Sequence, residues 1–362
     1  MTTMKPLVLL LIAISLTCGQ TARGESWKAG AAKMSITPSD PVWMSGYIRD
    51  RPSEGTEQDL WAKALVLEDA AGQRALLLTL DLVGIDRGTT ERICAQLADK
   101  YHLERRQIAI NCSHTHNGPV VGRNLYGMFS LDEAQWNRID EYTRQLTDKL
   151  VALAGQAIDR LQPSRISWGQ GYATVAVNRR TNTRKNPEQV RELGELRGPS
   201  DFDVPVLAVR DPQGKLQAVA FGYACHPTTL AVDYKFSGDY AGYAQADLEA
   251  AHAGAIALFW QGCGADQAPR PKDTLELTKA YGRRLATAVD EVLSGAMRPL
   301  AGSLATAYDE IPLRLDAPPT REALEKEKAS KSKFIALRAE RELAELAAGR
   351  PLRTSYPYPV QV

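Results

Sequence analysis

An α/β fold, with a mixed, largely parallel sheet core and flanking helices, is predicted by two features of the sequence. Short apolar runs of the kind found in buried strands, such as residues 75–80 and "AIALFW", alternate with segments of helical periodicity. Glycine- and proline-bearing turns separate the two kinds of segment.

In chain order, turn signals at "SITPSDPVW" and "RPSEGTEQ" bracket an irregular opening. "AKALVLEDAAGQRALLLTLDLVGID" reads as two strands joined at Ala71-Gly72. Residues 89–101 place Ile93, Leu97 and Tyr101 on one helical face, "QIAINC" is a further short strand, and "SHTHNGP" is the loop at its carboxyl end. A helix over 131–157 follows from Trp136, Ile139, Leu146, Leu150 and Leu153, with Asp132 in its N-cap region. "RISWGQGYATVAVN" is extended and runs into the Arg-rich loop "RRTNTRKNP". "DVPVLAVRDPQGKLQAVAFGYACH" is a hairpin turning at "DPQGK", 238–251 a helix, "AIALFWQGCGADQAP" a strand opening into a Gly-rich loop, and 275–293 a helix. Residues 320–350 are charged and helix-prone, with Leu324, Phe334, Leu337, Leu343 and Leu346 as an apolar stripe and the charges as a solvated face. "RTSYPYPVQV" reads as the beginning of a strand.

The 362 residues carry 44 Lys plus Arg against 43 Asp plus Glu, without a basic block, which excludes nucleic acid as a partner. Lys5, the run "PLVLLLIAISL" and the small, polar "TCGQTARG" make residues 1–24 a secretory signal peptide, cleaved between Thr17 and Glu25, so a secreted or periplasmic protein is expected. The run is too short to span a bilayer comfortably. Cys18 stands where a lipoprotein cysteine would, but Thr17 before it suits that processing poorly. Beyond the signal, residues 25–362 are expected to form one catalytic domain. Cys94, Cys112, Cys225 and Cys263 contain no C-x-x-C pair, and buried free thiols are expected rather than a disulfide framework.

In an open α/β sheet, ligands bind beyond the carboxyl ends of the strands. Collected on that rule, the strand ends hold Asp81, then Ser113 to His116, then His226, then Gln261 to Asp266: three of the five histidines. His-x-His on an extended segment points both imidazoles to one side, because strand side chains alternate. A lone His-x-His is more often a surface or hydrogen-bonding feature, but His226 at a second strand end adds weight to a metal site. Either His114, His116 and His226 form a three-histidine zinc site, or two bind while the third handles a proton. Asp81 and Asp266 stand as ligands, as partners orienting a histidine, or as caps, and Asp266 is kept as a catalytic candidate. Arg179 and Arg180 are anion or carbonyl binders, or a solvent-exposed basic loop. No phosphate-binding fingerprint and no G-x-S-x-G elbow is present.

From "WKAGAAKMSITP" through "GYIRDRPSEGTEQDLWAKALVLED", "SHTHNGP", "VNRR", "GYACHPTTL", "FSGDYAGYAQADLE" and "FWQGCGADQAP" to about Leu293, the chain resembles the catalytic domain of the neutral/alkaline non-lysosomal ceramidase family. The resemblance implies a ceramidase-like domain that cleaves an N-acyl bond with one zinc ion. His114 and His226 would then be zinc ligands, His116 a proton-handling catalytic histidine, and Arg179 a substrate-facing residue. The family's G-D-x-S-P loop aligns with Ala265-Asp266-Gln267-Ala268-Pro269, so Ala268 replaces a serine long considered a nucleophile. A water mechanism survives that loss, whereas a serine acyl-enzyme does not. The family's remaining zinc ligands, a glutamate and a tyrosine, match nothing here, and "SYPYPVQV" looks like the approach to them, so a reading frame cut short is expected.

The resulting expectation is a secreted, zinc-dependent hydrolase of an N-acyl amide in a small-molecule or lipid substrate, using metal-activated water, with peripheral membrane contact as an option. The alternatives are a catalytically incomplete fragment, a non-catalytic binding protein of the same fold, or a metal hydrolase acting on N-acylated sugars or another non-ceramide substrate.

Overall fold

The computed structural model describes residues 27–182, 190, 194–230 and 233–362. The signal peptide expected over 1–24 and part of the Arg-rich loop after Asn178 lie outside the described residues.

The main sheet contains β1 (Trp27–Ser35), β2 (Trp61–Glu68), β3 (Arg74–Leu80), β4 (Ile108–Cys112) and β5 (Gln162–Tyr172). After the short β6 (Ala176–Asn178) it continues with β7 (Asp203–Arg210), β8 (Leu216–Tyr223) and β9 (Ile256–Gln261). Its order is β9-β8-β7-β5-β1-β2-β3-β4. Outside it, β10 (Gln267–Pro269) pairs with β6, while β11 (Arg298–Pro299) is a ninth strand of the main sheet, paired with β5 off the main order. The long helices are α1 (Arg87–Tyr101), α2 (Glu133–Asp159), α3 (Asp239–Ala251) and α4 (Leu275–Ser294).

The mixed sheet with flanking helices is the expected class, but the strands are mostly antiparallel rather than largely parallel. Only β3–β4 and β8–β9 are parallel pairs in this sheet among the described residues. For two of the antiparallel pairs the reason is connection length: β2 reaches β3, and β7 reaches β8, through tight turns that can only return antiparallel. The chain between β3 and β4 holds α1, and that between β8 and β9 holds α3, long enough for a crossover.

Side-chain alternation gives each half of the sheet two different faces. Ala62, Ala64 and Val66 of β2 pack with β3, α1 and α2 in one core, and Val206, Phe221 and Phe259 pack with α3 and α4 in a second. The opposite faces meet each other: Trp27, Leu65, Leu67, Ile166, Val209, Ala218 and Leu258 form a third cluster between the halves. A fully buried leucine such as Leu65 contributes about 2 kcal/mol. The sheet therefore curls until its edge strands touch, where Asn111 of β4 donates Nδ2 to Gln261 O (3.2 Å) and accepts from Gln261 N at Oδ1 (2.8 Å).

The expected helix N-cap at Asp132 is present, its carboxylate accepting from Gln135 N at 2.8 Å. The charged 320–350 segment forms α5 (Arg321–Lys328) and α6 (Lys333–Ala347), packed through Leu324, Ala339 and Leu343. "SYPYPVQV" does form a strand, β13 (Ser355–Gln361), paired antiparallel with β12 (Tyr308–Arg314), which the sequence reading missed.

One buried ion pair joins the two halves. Lys63 of β2, 2% exposed, donates Nζ to Glu249 Oε1 (2.7 Å) on α3 and to Ala257 O (2.8 Å) on β9. Removing one partner of such a pair strands the other charge. Glu249→Ala is expected to lower the free energy of unfolding by about 3–5 kcal/mol, and adding Lys63→Met to recover much of it. Urea denaturation of both variants measures this, and equal losses in the two would show that the stranded charge is not the cause.

Candidate metal centre

Because β4 and β9 touch, the loops leaving β4 and β8 face each other. After Cys112 the chain stays beside its neighbour, with Ser113 N donating to Leu80 O (2.8 Å) and His114 N to Leu82 O (2.8 Å). His114 then takes a left-handed conformation, φ 67°, which is uncommon for a residue with a Cβ. The two imidazoles of His-x-His do converge, with Nε2 atoms 3.4 Å apart, but strand alternation is not the cause. The left-handed turn at His114 breaks the extended conformation on which that expectation rested.

His226 enters from the loop after β8, its N–H donating to Gln267 O (2.9 Å) of β10. The Nδ1 atoms of His114 and His226 lie against main-chain carbonyls, Val83 O at 2.9 Å and Gly264 O at 2.8 Å. A carbonyl only accepts, so both Nδ1 atoms carry the proton and both Nε2 atoms present lone pairs. Those Nε2 atoms are 3.1 Å apart. Two lone pairs so placed repel unless a proton or a metal ion stands between them. Two ligands about 2.0–2.1 Å from a tetrahedral zinc have a nitrogen separation close to this.

His116 is held differently. Its N–H is 3.4 Å from Pro227 O and its ring stacks edge-on against Tyr47, with centroids 4.8 Å apart. Its buried Nδ1 has no hydrogen-bond partner. One ligand atom from each of His114, His116 and His226 lies within 4.8 Å of the others, so the group can hold a metal ion.

The loop carrying His116 is fixed from outside. Thr115 Oγ1 donates to Ser237 O (2.7 Å), and Asn117 forms a bridge with Ser237. Arg49, 6% exposed, reaches four oxygens: Nη1 to Ser45 O (2.9 Å), Nη2 to His116 O (3.0 Å) and Asn117 Oδ1 (2.8 Å), and Nε to Asp233 O (2.8 Å). Burial lowers its pKa to about 10. Gly46, at φ 89°, leaves the space His116 occupies, since a Cβ there would stand 2.5 Å from His116 Cγ.

The imidazoles are held neutral. Burial is the first cause for each, lowering His116 to about 3 and His226 to about 4, and lowering His114 as well. The histidines raise the cost of charging one another, and Arg179 adds to it.

Of the other candidates, Arg179 is in the site: Nε donates to Ala265 O (3.0 Å), and Nη2 lies 3.5 Å from His226 Nε2. Asp266 is beside it, but its carboxylate accepts from Asn178 Nδ2 (3.2 Å) and, among the described residues, bonds to no histidine. Asn178 Oδ1 in turn accepts from the N–H groups of Arg180 and Thr181. Asp81 is buried among Trp61 N (3.0 Å) and Gln245 Nε2 (3.2 Å), a structural cap rather than part of the histidine group. Sequence reasoning assigned no role to Gly46, Tyr47 or Arg49, which lie in the irregular opening and were quoted only as part of the family resemblance. A glycine beside an aromatic and an arginine, in "SGYIRDR", was the available signal.

Residues 27–270 match the family model described as neutral/alkaline non-lysosomal ceramidase, N-terminal. The neutral ceramidase of Pseudomonas aeruginosa is 26% identical over 322 residues, covering 83% of this chain and 47% of that protein. The neutral ceramidase of Drosophila pseudoobscura pseudoobscura is 26% identical over 250 residues, covering 67% of this chain and 34% of that one. Among solved structures, a ceramidase complexed with C2 is similar with a TM-score of 0.68 and 25% identity, covering 80% of this chain and 48% of that one. The crystal structure of the Pseudomonas aeruginosa neutral ceramidase shares the fold, with a TM-score of 0.68 at 23% identity, covering 93% and 60% of the two chains. The chain thus spans about half the length of the relatives it matches.

In an unfolded chain these histidines take up protons near their ordinary pKa of 6.5, whereas the folded chain refuses them down to about 4 at His226 and about 3 at His116. Stability of the metal-free protein is therefore full above pH 6.5 and falls as the pH drops from there toward 3. Thermal unfolding of chelator-treated protein between about pH 8 and about pH 4 measures this, and a profile unchanged by replacing His116 and His226 with phenylalanine would contradict it. Gly46→Ala is expected to push the His116 ring aside and cost about 1–3 kcal/mol, seen as a lower Tm together with a changed His116 imidazole NMR signal.

Proposed function

The chain belongs to the neutral/alkaline non-lysosomal ceramidase family, and from that premise we propose that it hydrolyses an N-acyl amide bond with a zinc ion held by His114 and His226. The observation that carries the reading is the pair of Nε2 lone pairs facing each other at 3.1 Å, each ring fixed by an Nδ1–H to a main-chain carbonyl. A metal-binding histidine characteristically donates its second N–H in this way, and His116 does not. The donor set fits zinc, for which neutral imidazole is a favoured ligand.

Zinc in this position supplies Lewis acidity, making water acidic and polarising a carbonyl. The side chains do the rest. His116, neutral down to about pH 3 before metal binds and with its Nε2 3.4 Å from His114 Nε2, is placed to accept a proton from water at that atom and return it to the departing amine. Arg179, steered by its bond to Ala265 O, turns Nη2 toward the histidines, where it can stabilise a developing oxyanion. Asp266 is a positioning residue in this reading, holding Asn178 and through it the turn that carries Arg179. Ala268, 2% exposed in β10, has no nucleophilic atom, which favours attack by water over an acyl-enzyme. The relatives' names point to ceramide or a related N-acyl lipid as substrate class. The apolar run near the N-terminus supports export as part of the same proposal.

One zinc per chain is expected on purification with zinc present. His114→Ala and His226→Ala should each weaken zinc binding by on the order of 100-fold or more, read by competition with a chromogenic chelator. His116→Ala should keep most of the zinc affinity and lose about 10²–10⁴ in turnover of a fluorogenic N-acyl amide. Equal metal loss in all three variants would favour three-histidine binding instead, and absence of both zinc and turnover in the unaltered protein would overturn the proposal.

A further inference from the structure

Each imidazole of the group turns about its Cβ–Cγ bond, a torsion with broad preferences in histidine, unless something stops it. For His114 and His226 that something is a hydrogen bond, since Nδ1 of each lies against a main-chain carbonyl, at 2.9 and 2.8 Å. His116 has no such bond. Its Nδ1 is buried without a partner, while its Nε2 stands 3.4 Å from His114 Nε2. Gly46 is packed against Cα, Cβ and Cγ of His116, atoms at the root of the ring that do not set its plane. The rings of His114 and His226 meet it edge-on, with centroids 5.0 and 5.4 Å away. Among the described residues, the one ring contact to His116 from outside the histidine group is Tyr47, at 4.8 Å and an interplanar angle of 67°. That is a favourable edge-to-face arrangement.

Tyr47 is itself anchored at both ends. Two residues after it, the buried Arg49 reaches four oxygens, and its Cζ is 5.4 Å from the Tyr47 ring centroid. At the far end of the ring, Oη donates to Leu230 O (3.3 Å) in the loop after β8. That stretch is pinned in turn by Asp239, 0% exposed, whose carboxylate accepts from Thr229 N (3.1 Å) and Leu230 N (2.9 Å).

We propose that Tyr47 is a positioning residue for His116: its aromatic ring, rather than its hydroxyl, holds the imidazole plane so that Nε2 faces the other two histidines. This role presupposes the proton transfer proposed for His116 and adds the residue that aims it. A hydrogen bond at Nδ1 to a fixed carbonyl commits a histidine to one tautomer, which suits a metal ligand. A ring that takes up and returns a proton is better held by an apolar contact, which fixes the plane and leaves the nitrogens uncommitted. The plane matters because a half-turn about Cβ–Cγ exchanges Nε2 with Cε1, placing a carbon where the proton has to go. Proton transfer also requires hydrogen-bond reach, which a tilted ring loses.

The test compares Tyr47→Leu, which removes the ring, with Tyr47→Phe, which keeps it, on zinc-loaded protein turning over a fluorogenic N-acyl amide. Tyr47→Leu should lower kcat by about 10- to 100-fold with little change in KM, and Tyr47→Phe should recover most of the loss. Zinc affinity, read by competition with a chromogenic chelator, should be the same in all three proteins, because His114 and His226 are oriented by carbonyls. In the metal-free protein, NMR cross-relaxation between the ring protons of His116 and those of His114 and His226 should persist in Tyr47→Phe and weaken in Tyr47→Leu. A loss in Tyr47→Phe as large as in Tyr47→Leu assigns the effect to the hydroxyl and overturns the proposal. Zinc affinity that falls together with kcat in Tyr47→Leu also overturns it, since the whole group is then disturbed. Unchanged kcat in both variants overturns it as well. If the unaltered protein turns nothing over, the hydrolysis reading fails, and the NMR comparison alone decides whether Tyr47 orients His116: equal cross-relaxation in all three proteins shows that it does not.

Discussion

The exchange of two hydrogen bonds between the Asn111 side chain and the backbone of Gln261 sets the geometry on which the rest of the site depends. These residues are 150 positions apart and stand on opposite edge strands of the sheet. An unpaired edge is ordinarily a liability that proteins cover or charge. Here a side-chain amide, with a donor and an acceptor on one planar group, substitutes for a missing strand partner. Closing the edges brings the loop after β4 opposite the loops after β8 and β9, and so places His114 against His226. The interior cluster around Leu65 and Leu258 supplies the burial that holds the two halves together, and the Lys63–Glu249 pair adds a polar tie.

The same closure explains the electrostatics. Burial makes a protonated imidazole expensive, and three of them together would add repulsion. Main-chain carbonyls at Val83 and Gly264 choose the tautomer without adding negative charge. Gly264 has to be glycine for this, since a Cβ there would stand 2.5 Å from Cys225 N. Likewise Arg49 binds the His116 loop through carbonyl oxygens rather than carboxylates. The groups that fix the two Nδ1 atoms and the His116 loop by hydrogen bonds are thus neutral oxygens.

Much of this was legible in the sequence, for reasons that differ by residue. The helices over 87–101, 133–159 and 275–294 follow local periodicity and a local cap at Asp132, so they were read nearly to their ends. His114, His116 and His226 stood out because each follows an apolar run, a signal that needs no knowledge of partners. Strand direction was misread because it depends on which distant strand lies alongside, and β2, flanked by β1 and β3, carries no mark of that in its own residues. The carbonyls of Val83, Gly264, Ser45 and Asp233 were invisible for a deeper reason: every residue has one, so a site built on main-chain oxygens leaves no trace in composition or spacing.

Asp266 illustrates how such invisibility misleads. A carboxylate at a strand end, next to a glycine-rich loop, invites a chemical role on the page. In the fold its oxygen is taken by Asn178, and Asn178 organises the turn through the N–H groups of Arg180 and Thr181. The carboxylate therefore acts on the site at one remove, by holding the Asn178 turn that carries Arg179 and Arg180. Had it faced His116, it would have stabilised the imidazolium and raised the pKa of that ring, opposing the neutral state that proton acceptance requires.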